Sequence, residues 1–154
     1  MGCGYSTFSA QEDIVWRFGG PPEEPLKAIK MFPKKQNGLL FRLLYDEGER
    51  WAFYNDTKEY EFHIRYYFSR ESDIEALGHA TLSELENGNK LVEIIVYPKE
   101  TEDFMVGVPG SYTSTVEAMP LSERFKHEKL KEQFDEKVEK KEEKEEAKMI
   151  HRKN

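Results

Sequence analysis

The chain has 154 residues, 38% hydrophobic and 13% aromatic, with a formal charge of −7. That is the length of one domain with appendages, and the acidic balance argues against nucleic acid, because a phosphate backbone rewards a basic face. No run of 18 apolar residues is present to span a bilayer, no apolar signal-peptide core opens the chain, and one cysteine, Cys3, cannot form an intramolecular disulfide framework. The expectation is a protein of the cytosol or of the cytosolic side of a membrane.

The chain opens MGCGYS. Met-Gly-x-x-x-Ser/Thr is the pattern for N-myristoylation, and Gly2 and Ser6 fit it. Glycine is needed because the acyl chain joins the α-amine, where a side chain would crowd the transferase pocket. One myristoyl chain holds a protein only marginally, with a partition constant on the order of 10⁴ M⁻¹. A basic patch would reinforce it, yet residues 2–26 contain Arg17 as their only cation against Glu12, Asp13, Glu23 and Glu24. That leaves Cys3 as a thioester site for palmitate, whose roughly 15 methylenes at about 0.8 kcal/mol each make dissociation slow. The expected lipidation sites are Gly2 (N-myristoyl) and Cys3 (S-palmitoyl).

Residues 1–37 hold little periodicity and are punctuated by Gly19, Gly20, Pro21, Pro22, Pro25 and Pro33. They read as an extended, acylated N-terminal arm. Residues 38–120 read as β-structure. GLLFRLLYDEGERWAFYND is two apolar runs around a turn at Asp46–Glu49. In YEFHIRYYF, Tyr60, Phe62, Ile64, Tyr66 and Phe68 alternate with Glu61, His63 and Arg65, which puts the rings and Ile64 on one face. ATLSELENGNKLVEIIVYP is a second hairpin turning through Asn87-Gly88-Asn89. Its Leu91, Val92, Ile94, Ile95 and Val96 suggest a strand buried on both faces. EDFMVGV and SYTSTVEAM add two strands, split by Pro109-Gly110. The fold expected is mostly β, an antiparallel β-sandwich or flattened barrel. Residues 121–154 are almost all good helix formers, with Ser122 placed to cap a charged C-terminal helix. Its apolar stripe, Leu121, Phe125, Leu130, Phe134 and Val138, is too short for a coiled coil.

MGCGYS, NGLLFRLLY, WAFYNDTKEYEFHIRYYF, DIEALGHATL, ENG, VYPKETEDFMVG and AMPLSE occur in that order. Together they resemble the small myristoylated, calpain-related proteins of kinetoplastid protozoa. The likeness covers residues 1–6 and the stretch from about 36 to about 125. The resemblance implies a non-catalytic antiparallel β domain akin to an accessory region of calpain-like proteins. It also implies acylation at Gly2 and Cys3, and association with the flagellar or plasma membrane. The arm from Tyr5 to Lys35 and the charged helix after about residue 126 inherit nothing from it.

Calpain chemistry needs a thiolate, a histidine base and an orienting Asn. The only thiol is Cys3, so no such protease can be built, and no Gly-x-Ser-x-Gly elbow occurs. His63, His79, His127 and His151 lack the spacing of a zinc helix. Asp46, Glu47, Glu49 and Asp56 are explained as well by turn chemistry as by a calcium loop. No cofactor and no metal is expected. Trp51, Phe53, Phe62 and Tyr66 either pack the core or line an apolar groove for an acyl chain. The function expected is a non-enzymatic, dually acylated adaptor or structural protein. It is expected to be monomeric, on the cytoplasmic face of the flagellar or plasma membrane, with membrane or cytoskeletal proteins as partners. The alternative is a lipid or small-ligand binding protein.

Overall fold

The computed structural model describes residues 14–35 and 38–153, with side chains described to residue 147. It divides into two units, residues 1–120 and 121–154. The first unit is a two-sheet antiparallel sandwich. Its strands are β1 (Lys27–Lys30), β2 (Leu40–Tyr45), β3 (Arg50–Asn55), β4 (Tyr60–Phe68), β5 (Asp73–Ala76), β6 (Thr81–Glu84), β7 (Lys90–Val96), β8 (Thr101–Val108) and β9 (Tyr112–Pro120). One sheet has the order β1-β2-β3-β8-β5, the other β6-β7-β4-β9. The second unit is the helix α1 (Glu123–Lys153), whose first turn is capped by Ser122 Oγ accepting from Phe125 N at 3.2 Å.

The period-two pattern of β4 is realised. Phe62, Ile64, Tyr66 and Phe68 are at most 1% exposed and face the first sheet, while Tyr60 at the strand's start is 36% exposed. With Trp51 and Phe53 of β3, Val92, Ile94 and Val96 of β7, and Phe104 and Met105 of β8, they form the inter-sheet core. The rings cross the gap edge to face, Trp51 on Tyr66 at 5.6 Å and Phe104 on Tyr66 at 5.4 Å. Asn55 ties the sheets at one end. Its Nδ2 donates to the Tyr60 and Val96 carbonyls, and its Oδ1 accepts from Thr57 N and Oγ1. Gly107 in β8 has φ +128°, and a Cβ there would fall 2.1 Å from the Asp73 carbonyl oxygen, so β5 can pair closely only against glycine.

Two features differ from the sequence reading. β7 is buried on one face only, since Ile95 points outward and is exposed. The strands covered on both faces are β2 and β3. Their outer face, Phe41, Leu43, Tyr45, Ala52 and Tyr54, carries a second cluster roofed by Ile14 and Trp16. The second difference is the reach of the arm. The expected boundary between residues 37 and 38 falls inside the first hairpin of this sheet, because Lys27–Lys30 pairs with Phe41–Leu44 as β1. The prolines of the arm flank that strand and do not interrupt it, as proline's missing N–H requires.

Candidate functional site

Gly2, Cys3 and Ser6 lie outside the described residues. What the structure does describe is how the chain that follows them is held. Asp56, fully buried, accepts from the backbone amides of Arg17 at 2.9 Å and Phe18 at 3.0 Å. The Tyr54 hydroxyl donates to Asp56 Oδ1 at 2.9 Å, lies 3.1 Å from the Phe18 carbonyl, and accepts from Gly20 N. Burial above all, and then the hydrogen bond to the Asp56 carboxylate, push the Tyr54 hydroxyl up to about 12. The Trp16 ring stands edge-on to Phe41 and Tyr54 at 4.8 and 5.4 Å. Gly20 permits this, because a Cβ there would meet Trp16 Cδ1 at 2.6 Å. The arm is therefore docked from Ile14 onward.

Trp51, Phe53, Phe62 and Tyr66 are brought together in the inter-sheet core, each 5% exposed or less. One polar side chain reaches their edge. Arg42 of β2 donates from Nη1 to the hydroxyls of Tyr66 at 3.2 Å and Tyr112 at 3.3 Å. Its Cζ lies 4.4 Å from the Trp51 ring centroid, a cation–π distance. Its Nε is buried with no hydrogen-bond partner. Burial raises the Tyr66 hydroxyl, and the Arg42 charge partly opposes that.

Arg50 is the opposite case. It pairs with Asp103 at 2.8 Å, Asp46 at 3.0 Å and Glu23 at 3.1 Å, and its guanidinium lies 4.3 Å from the Tyr45 ring centroid. Of the acidic residues considered for calcium, Asp46 is thus spent on Arg50 and Asp56 on the arm. Among the described residues no group of three or more His, Cys, Asp or Glu is placed to hold a metal ion. His63 meets the buried Glu61 at 2.9 Å, and His79 meets Glu102 at 2.8 Å, whose hydrogen bond and charge raise its pKa. Sequence reasoning passed over Arg42 and placed Asp56 in turn chemistry or a calcium loop, not in the docking of the arm. The signal for the first was a lone cation at an inward position of LLFRLLY.

A family model described as a domain of unknown function (DUF1935) matches residues 16–121. The chain belongs to the DUF1935 family. Its fold is similar to the NMR structure of SMP-1 (Small Myristoylated Protein) from Leishmania major. The TM-score is 0.74 at 38% identity, over 86% of this chain and 98% of that one. A Leishmania major hypothetical protein is also similar, with a TM-score of 0.63 at 34% identity, over 72% of this chain and 97% of that one. No curated protein matches. The two-sheet antiparallel fold expected from the sequence is the fold of this neighbour.

Proposed function

We propose that this protein is a non-enzymatic membrane-associated adaptor, acylated at Gly2 by myristate and at Cys3 by palmitate. It would act at the cytoplasmic face of a flagellar or cell-surface membrane of a kinetoplastid cell. The observation that carries the reading is MGCGYS at the head of a chain 38% identical to a protein described as small and myristoylated. Among the described residues no helix is long and apolar enough to cross a membrane, which is consistent with acyl anchoring. The relation to calpain-like proteins belongs to the same proposal and rests on the ordered motifs. With one thiol in the chain, at Cys3, the domain would contribute binding rather than peptide cleavage. It would work as a monomer that recruits membrane or cytoskeletal proteins.

The test is metabolic labelling with alkyne analogues of myristate and palmitate, followed by membrane fractionation. Gly2→Ala is expected to lose both labels and move to the soluble fraction, because thioester acylation follows first membrane contact. Cys3→Ser is expected to keep the myristate label and bind weakly and exchangeably. A Gly2→Ala protein that stays in the membrane fraction would end the anchoring proposal.

A second reading, a lipid or small-ligand binding protein with an apolar groove in the β domain, draws on one observation. The sandwich is uncovered along β9 beside Arg42, with Tyr112 41% exposed on the inner face.

A further inference from the structure

The molecule has 30 acidic residues against 23 lysines and arginines. A half-buried arginine in such a chain ordinarily finds a carboxylate, as Arg50 finds three. Arg42 finds none among the described residues. The acceptors on its Nη1 are two neutral phenols, its Nε has no acceptor, and its positive charge is offset only by the faces of Trp51, Tyr66 and Tyr112. A buried donor without a partner costs about 1–3 kcal/mol, and the cost is larger for a charged group.

The surroundings are open on one side. In the register of β4 with β9, Phe68, Tyr66, Ile64 and Phe62 stand beside Tyr112, Ser114, Val116 and Ala118. Both rows face inward. The β4 row is sealed, whereas Tyr112, Ser114 and Ala118 are exposed and Val116 is half-buried. Among the described residues the first sheet reaches β9 at Tyr112, through Trp51 and Arg42, and leaves the row beyond it uncovered. Its edge strand β1 places half-buried Ile29 beside Arg42. A cation thus lies at the inner end of an uncovered shelf with aromatic and aliphatic walls.

We propose that this shelf binds an aliphatic carboxylate, the carboxylate pairing with Arg42 and the hydrocarbon chain lying along the inner face of β9. The inference deepens the second reading above and rests on it. A carboxylate carries one negative charge in a plane and matches one planar guanidinium. A phosphate dianion would leave one charge unmatched. The tail supplies the apolar area that the exposed inner face of β9 leaves in water. The protein's own myristoyl group would be joined through an amide, has no carboxylate and would not satisfy Arg42. The ligand is a free aliphatic acid.

The experiment uses the full, unacylated chain labelled with ¹⁵N and ¹³C, titrated with dodecanoate, dodecanol, acetate and inorganic phosphate below micelle-forming concentrations. Dodecanoate is expected to shift the Arg42 Nε–H resonance and the β9 amides from Tyr112 to Val116 saturably. It should bind at least tenfold more tightly than dodecanol and acetate. Arg42→Met should weaken dodecanoate tenfold or more and leave dodecanol within twofold. The ranking of the four probes on the wild-type chain stands even if that variant does not fold. Dodecanol binding at the shelf as tightly as dodecanoate would keep the groove and overturn the role of Arg42. Shifts confined to other residues, shifts with phosphate alone, or no saturable shift at all would overturn the site. None of these outcomes bears on Gly2 and Cys3, whose test is separate.

Discussion

Tyr54 stands at the joint between the arm and the sheet, and its hydroxyl gives that joint a pH limit. The group is uncharged when protonated, and burial together with the Asp56 carboxylate opposes the phenolate. Its pKa in the fold, about 12, is above the ordinary value of 10. The stability it contributes is therefore complete below pH 10 and is lost as pH rises from 10 towards 12, where the unfolded chain gives up the proton first. Tyr54→Phe should cost about 1.5–3 kcal/mol at neutral pH, the net worth of a hydrogen bond to a charged group. It should also flatten part of the alkaline fall. Urea unfolding at about pH 8 and about pH 11 measures both, and the gap between wild type and variant should narrow at the higher pH. Tyr45 and Tyr66, raised by burial, leave a residual slope of the same sign. A gap that is unchanged with pH would show that the hydroxyl titrates without reference to the fold. None of this joint was legible in the sequence. Asp56 is 38 and 39 residues from the amides it accepts from, and no local pattern announces a pairing of that span.

At the scale of the strand, alternation carried most of the information. β4 could be read because one face is sealed and the other carries His63 and Arg65, so the polar period survives in the letters. β2 and β3 were harder. Their outer faces are covered by the arm, so apolar residues occupy consecutive positions and the period is erased. That same continuity in LVEIIV misled, because Ile95 is apolar yet faces water. β5 and β1 are four residues each, too short to show a period at all. The facing of β4 has a direct test at Phe62, which is fully buried and packs against Phe32 at 5.5 Å. Phe62→Ala should destabilise the sandwich by roughly 3–5 kcal/mol. A domain of this kind has only about 5–15 kcal/mol in total, so the loss should be plain in a thermal melt. A melt within a degree or two of wild type would mean that this part of the core is already loose, as a groove would require.

Across the whole molecule the charge opposes the membrane that the acyl groups would seek. The net charge is −7, and the stretch that follows Gly2 and Cys3 is itself acidic. The cations are spread over the strands, the connecting segments and α1, and Arg50 is already matched by three carboxylates. A singly acylated protein is the sensitive probe, because one chain holds it only marginally. For a polybasic anchor, added salt weakens binding to anionic lipid by screening attraction. Here the sign should reverse, since salt screens repulsion. Going from about 10 to 150 mM salt shortens the screening length from about 30 to about 8 Å, which removes most of the repulsion between exposed charges and the surface. Myristoylated Cys3→Ser protein should therefore bind vesicles containing anionic lipid more weakly than neutral vesicles at low salt. The two affinities should converge as salt rises. Vesicle sedimentation at the two salt concentrations measures this. Binding to anionic vesicles that falls with salt would reveal an attractive basic surface and would remove the reason for requiring a second acyl chain at Cys3.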